Sequence, residues 1–279
     1  MFTRLSRSWE LIKASGTVLR QDKELLVFPF LSAIATLLVI ASFAIPLIVT
    51  GALDRPEGQP PDAGLMVLAF LFYLSQYFVI FFFNAALVGA AMIRLNGGDP
   101  TVSDGLRIAR SRFVQILGYA GIAATVGLIL RVIEERAGFI GRWIAGLLGL
   151  AFTVATFLTV PILVTRDIGP LDAVKESASL LKKTWGENIA GNVGMGLVFF
   201  LGYLGVFVSG LLLCFLVAGS SVLIVSAIVV TVLAMVLLGL VQSALQGVYS
   251  AALYRYATEG SGGEAFSGTL LGDAFRPKR

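Results

Sequence analysis

The chain has 279 residues, 57% of them apolar and only 14% charged, with 21 Lys and Arg against 17 Asp and Glu and no histidine. Soluble proteins carry about 25% charge, so this balance excludes a water-soluble globular domain. With no histidine and one cysteine it also excludes His-based acid–base or triad catalysis, and the usual nitrogen and sulfur metal sites within one chain.

Residues 1–24 are charged and amphipathic, with Leu5, Trp9, Ile12, Gly16 and Leu19 on one stripe at helical spacing. The apolar run at 25–50 is too long for the core of a cleavable signal, so it is expected to be a retained first span. Further spans are expected near 64–94, 113–133, 142–165, 188–217 and 222–255. Each is long enough to cross about 30 Å of hydrocarbon as a helix. The last two lie in a run of 67 residues, 188–254, without one Asp, Glu, Lys or Arg. As a single helix that run would be roughly 100 Å long. It must fold back, and Ala218-Gly219-Ser220-Ser221 is the turn-forming break near its middle. Barrel strands would alternate polar with apolar residues, and these runs do not. The expected fold is therefore an all-α, integral membrane six-helix bundle.

Cytoplasmic loops collect Lys and Arg. Seventeen of the 21 basic residues fall in the N-terminal segment, the 94–112 and 166–187 connectors and the tail; only Arg55, Arg131, Arg136 and Arg142 fall on the other side. Both termini are thus expected in the cytoplasm, with the chain in a bacterial inner membrane. Residues 1–258 are expected to form one transmembrane domain and 259–279 a flexible cytoplasmic tail.

An internal threefold repeat is expected near 1–94, 95–166 and 167–255. Ile12-Lys13-Ala14-Ser15 aligns with Val174-Lys175-Glu176-Ser177, and Leu106-Arg107-Ile108-Ala109 is a weaker third copy. Each even-numbered span ends in an Arg followed by Gly: Arg94 before Gly97, Arg166 before Gly169, Arg255 before Gly260. The cation suits the negative end of the helix dipole, and Gly supplies a helix-ending conformation. Pro100 and Pro170 then stop the old helix and can open the next. Val174, Ala178, Leu181 and Trp185 form a second apolar stripe, and Leu106, Ala109, Phe113 and Ile116 a third. One reading lays these helices on an anionic leaflet. Candidate membrane-surface contacts are then Arg4, Arg7, Trp9, Lys13, Arg107, Arg110, Arg112, Lys175, Lys182, Lys183 and Trp185. The plainer reading packs the stripes on the bundle and leaves the charges as topology signals.

Charge is absent from the middle of the spans, but neutral amides remain: Gln76, Asn84, Asn188, Asn192, Gln242 and Gln246. They are candidates either for a polar path or for interhelical hydrogen bonds, which contribute about 0.6 kcal/mol on average. Pro46 and Pro161 are expected to kink the first and fourth spans.

The segments Arg7–Ser15, Asp22-Lys23-Glu24-Leu25 and Phe82-Phe83-Asn84-Ala85-Ala86-Leu87 resemble an uncharacterised prokaryotic membrane-protein family, domain of unknown function 6159. The resemblance extends from residue 1 to about 258. It implies six spans and brings no activity, ligand or catalytic residue with it. The expectation is a non-enzymatic scaffold or lipid-organising protein, with no cofactor and no nucleic-acid partner, whose partner is the bilayer and its anionic lipids. The alternative is a transporter or channel for a small molecule or lipid.

Overall fold

The computed structural model describes residues 2–49, 63–136, 138–185, 189–217, 219–262 and 266; the side chains of 2–8, 183–185 and 189–195 are not among them. The described residues form ten α-helices and no strand: α1 (Phe2–Gln21), α2 (Val27–Val49), α3 (Ala63–Leu95), α4 (Val102–Ser111), α5 (Phe113–Arg136), α6 (Gly138–Ala155), α7 (Thr159–Thr165), α8 (Pro170–Trp185), α9 (Ile189–Leu216) and α10 (Ser221–Glu259). A 3-10 turn, Lys23–Leu26, joins α1 to α2. Six stretches are long and apolar enough to cross a membrane: Lys23–Val49, Ala63–Leu95, Phe113–Arg136, Gly138–Thr165, Gly196–Leu216 and Ser221–Glu259. Their outer flanks expose large apolar side chains such as Leu37, Ile48, Phe215, Leu216 and Val222. Apolar surface on this scale, along helices long enough to span a bilayer, suits contact with lipid.

The chain divides into two compact units. The first comprises Met1–Leu26, Ala91–Asp99 and Lys183–Arg279. In it α9 packs along α10, and α1 packs on both. Close approach is set by small residues. Gly202 lies against Leu238 and Gly239 against the Tyr203 hydroxyl, so a Cβ at Gly239 would sit 3.1 Å from that oxygen. The buried face of α1 is Leu11, Ala14, Ser15, Val18 and Leu19. Of the expected stripe Leu19 is buried, Ile12 and Gly16 are half-buried and Trp9 stays half exposed, while the Leu5 side chain lies outside the described residues. The second unit comprises Val27–Ala90 and Pro100–Lys182. There α5 packs along α6 and touches α7 and α4.

Residues just before the three terminal arginines are buried almost without interruption: 85–91 before Arg94, 158–163 before Arg166 and 247–254 before Arg255. Within each even-numbered span, burial among the described residues is thus concentrated toward the basic end. Gly97 and Gly260 adopt left-handed conformations at φ 83° and 73° and end α3 and α10 as expected. Gly169 does not. α7 stops at Thr165 because Arg166 is already extended, and Pro170 opens α8.

The fourth span is not one helix. α6 ends at Ala155 and α7 begins at Thr159, so the interruption precedes Pro161 instead of centring on it. Pro161 has no N–H to give the Phe157 carbonyl, so the turn upstream of it unwinds. Phe157 N–H bonds Val154 at 3.2 Å and Thr159 N–H bonds Thr156 at 3.0 Å, both tighter turns than the α-helix makes. Leu158 N–H leaves the ladder altogether and donates to Ser177 Oγ of α8 at 3.1 Å. Ser177 and Ser15 are both fully buried, but Ser15 Oγ has no hydrogen-bond partner. Removing an unmatched hydroxyl costs little, whereas removing a hydroxyl that satisfies a buried amide costs about 1–3 kcal/mol. Ser177→Ala is therefore expected to lower stability in detergent by about that amount, and Ser15→Ala to leave it unchanged or raised. Equal losses in thermal melts of the two variants would contradict this assignment.

Candidate functional site

α4 shows how the short helices are seated. Thr101 caps it: Thr101 Oγ1 accepts from Asp104 N–H at 3.2 Å, and Thr101 N–H donates to Asp104 Oδ2 at 3.1 Å. This reciprocal pairing fixes the first turn. The hydrogen bonds from Thr101, with the Arg107 guanidinium adding its charge, hold the Asp104 carboxyl below its ordinary pKa. One face of the helix carries Gly105 and Ala109, both buried. Gly105 rests directly on the Ala86 carbonyl of α3 and the Phe28 ring of α2. The opposite face carries Arg107 and Arg110, both exposed.

α8 repeats that division. Ala173, Ser177 and Leu181 are buried, while Lys175 and Lys182 are exposed. Relative to the expected stripe, the packing face turns by one position, from Val174 and Ala178 to Ala173 and Ser177. Of the expected third stripe, Ala109 and Ile116 are buried, Leu106 is half-buried and Phe113, which opens α5, is 45% exposed; Gly105 joins the buried face of α4. A helix face is chosen by what fits against the neighbour, and small residues allow the closest approach. On α1, Lys13 is exposed with Nζ 5.8 Å from the Trp9 ring centroid. Arg112 departs from the expected surface role. It is mostly buried and pairs with Asp167. The side chains of Arg4, Arg7, Lys183 and Trp185 lie outside the described residues.

A second polar constellation surrounds the interrupted fourth span. Tyr119 of α5 is buried, and its hydroxyl interacts with those of Thr156 and Thr159. Thr156 Oγ1 also donates to the Phe152 carbonyl at 2.8 Å. Thr159 Oγ1 makes no hydrogen bond of normal geometry. The Tyr119 ring stacks on Phe81 with centroids 4.3 Å apart, and Phe81, Tyr77 and Tyr73 continue the stack along one face of α3. At its far end Arg131 Nη1 donates to the Tyr73 hydroxyl at 2.9 Å, and Arg131 Nε donates to Glu135 at 2.9 Å. Sequence reasoning passed over this ladder. Its signal was the four-residue spacing of Tyr73, Tyr77 and Phe81, which reads equally as ordinary core.

Of the expected amides, Gln76 and Asn84 belong to the second unit and Gln242 and Gln246 to the first. Gln76 Oε1 is buried without a partner, and Asn84 is half-buried on the same helix. Gln242 is half-buried and Gln246 exposed, away from the buried face formed by Ala244, Leu245, Val248 and Tyr249. Asn188 and the Asn192 side chain lie outside the described residues. Among the described residues of the first unit Asp22 is a buried charge. Both of its oxygens accept from Arg94, which reaches Asp99 as well. Arg255 donates to the Leu95 carbonyl and to Glu259. Among the described residues no three His, Cys, Asp or Glu side chains are grouped to hold a metal ion.

Six apolar spans, lipid-compatible outer flanks and arginine-capped basic ends define a multi-pass helical membrane protein. The chain belongs to the family described as a family of unknown function (DUF6159), whose model matches residues 63–266. Of the segments that carry the resemblance in sequence, Phe82–Leu87 lies inside this match, and those at 7–15 and 22–25 precede it. No curated protein matches the chain.

Proposed function

We propose that this is a non-enzymatic protein of the bacterial inner membrane that gathers anionic lipid at its cytoplasmic face, with both termini on that face. The observation that carries the reading is the division of labour on α4 and α8. The small-residue face of each is buried, and Arg107, Arg110, Lys175 and Lys182 project outward. Arg107 and Lys175 remain 77% exposed despite their intrahelical partners Asp104 and Asp172. Juxtamembrane cations of this kind gain about 1 kcal/mol each from an anionic leaflet. Orientation rests on the seventeen basic residues gathered on one side.

The molecule is read as three copies of a short helix followed by two spans. The order α1 with two spans, α4 with two spans and α8 with two spans fits this. So does packing. Gly105 meets Ala86 and Ser177 meets Leu158, each pair 19 residues apart and each contact residue eight positions before its Arg or eleven after it. The same shift of 72 residues relates Arg94 to Arg166, Ala86 to Leu158 and Gly105 to Ser177. It moves the third copy four residues from the register that sequence similarity suggests. α1, whose Ser15 is likewise fully buried, packs on α10.

The test is lipid retention. Full-length protein reconstituted in mixed phosphatidylglycerol and phosphatidylcholine nanodiscs should enrich the anionic lipid several-fold in its annulus, by native mass spectrometry after delipidation. The variant Arg107→Gln, Arg110→Gln, Lys175→Gln, Lys182→Gln should bring that ratio close to unity. Equal retention by both proteins would sink the lipid reading. A transporter is the second reading, favoured by one observation: irregular backbone at membrane depth, as at 156–158, is tolerated where it is enclosed by protein or lines a conducting cavity.

A further inference from the structure

Beyond α10 the chain turns back inward. Gly260 is left-handed at φ 73°, and its N–H donates to the Tyr256 carbonyl at 2.9 Å, which closes the helix. Gly262 is then buried, and Phe266 is 1% exposed, among the largest fully buried side chains of the described residues. Both belong to the first unit. Nothing in local structure requires a phenylalanine past a helix end to be enclosed. Phe266 is therefore an anchor. The fold gives the ring a seat, and burying it offsets the entropy of tying down the segment that carries it.

The sequence holds a second ring for that seat. Phe266 closes Gly263-Glu264-Ala265-Phe266, and nine residues later Gly272-Asp273-Ala274-Phe275 repeats the order of glycine, carboxylate, alanine and phenylalanine. No other four residues of the chain have it. The two copies differ by one methylene, in the acidic side chain. Loop closure sets how they compete. The anchor lies 7 residues past Glu259 for Phe266 and 16 for Phe275. Closure entropy grows as (3/2)RT ln n, so the longer loop is disfavoured only about 3.5-fold. We propose that the seat of Phe266 is a docking site for this four-residue motif, and that the second copy, residues 272–275, competes with the first for it. The exchange moves the basic end, Arg276-Pro277-Lys278-Arg279. Tethered at Phe266, that end reaches up to about 45 Å from the seat; tethered at Phe275, about 14 Å. The exchange requires neither lipid gathering nor transport.

A double-mutant cycle on full-length protein in mixed micelles, read by chemical unfolding, tests this. Because the second motif replaces the first, Phe266→Ala should lower the folded-to-unfolded ratio only about 4.5-fold, and Phe275→Ala about 1.3-fold. The two together empty the seat and should lower it at least roughly 100-fold, the usual cost of truncating an enclosed phenyl ring. The combined loss thus exceeds the sum of the single ones. Rings that sit together in one cluster would give the opposite sign, because either single change already disrupts it. Losses that add, or a combined loss smaller than the sum, would overturn the proposal. So would a Phe266→Ala variant that fails to fold, since residues 272–275 would then not have filled the seat. No change in any of the three variants would overturn it as well, by showing that Phe266 anchors nothing.

Discussion

Replacing Arg94 with Ala is expected to destabilise the protein by about 3–5 kcal/mol, the usual cost of leaving a buried charge uncompensated. The Asp22 side chain is only 6% exposed, and both of its oxygens accept from Arg94. Asp22 stands at the end of α1 and Arg94 in the last turn of α3, 72 residues apart. Losing the guanidinium strands the carboxylate where water reaches it poorly. The reverse change should be milder. Asp22→Ala leaves Arg94 with Asp99 at 2.6 Å, and Arg94 is itself 23% exposed. Replacing both residues with apolar ones should recover most of the loss, because the desolvation cost goes with the charge. Arg107→Ala supplies the control: that side chain is 77% exposed, and the change should stay within about 0.5 kcal/mol. Chemical unfolding in mixed micelles, followed by tryptophan fluorescence, orders the four variants. An Arg94→Ala loss no larger than that of Arg107→Ala would show that the pair contributes nothing.

Gly105→Ala is expected to cost about 2–3 kcal/mol, although Ala is the better helix former by about 1 kcal/mol. A methyl group there would lie 2.5 Å from Phe28 Cζ and 2.6 Å from the Ala86 carbonyl oxygen. The ring can turn, but the carbonyl belongs to the backbone of a buried helix and cannot retreat without moving α3. The expected relief is a shift of α4 away from its seat, which would also displace Arg107 and Arg110. Gly16→Ala gives the opposite sign. Nothing lies within 4 Å of a Cβ at Gly16, so only the gain in helix propensity remains, about 0.5–1 kcal/mol. Thermal melts of the two variants should therefore diverge on either side of the parent protein. Equal stability for Gly105→Ala and the parent would mean that α4 is not held in this seat.

The membrane class was legible in sequence because it depends on composition along the chain. Long uncharged runs must lie in lipid wherever the rest of the molecule goes, and the spans follow from length alone. Arginine at span ends and Gly97 and Gly260 as helix stops were legible for the same local reason. The packing faces of α1, α4 and α8 were legible only in part, since Leu19, Ala109 and Leu181 of the expected stripes are buried. Apolar periodicity located a stripe, but the protein buries Ser15, Gly105 and Ser177 because small side chains allow closer approach, and which neighbour they approach is a tertiary fact. The interruption at 156–158 was half legible: Pro161 signalled a defect, and the diversion of Leu158 N–H to Ser177, 19 residues away, decided where it falls. The pairing of Asp22 with Arg94, 72 residues away, was likewise not legible in sequence. Local chemistry thus determined what the chain is dissolved in and where its helices begin and end. Only the folded arrangement decided which polar atoms are sealed from water and which of them lack a partner, because that depends on contacts between residues far apart in the chain.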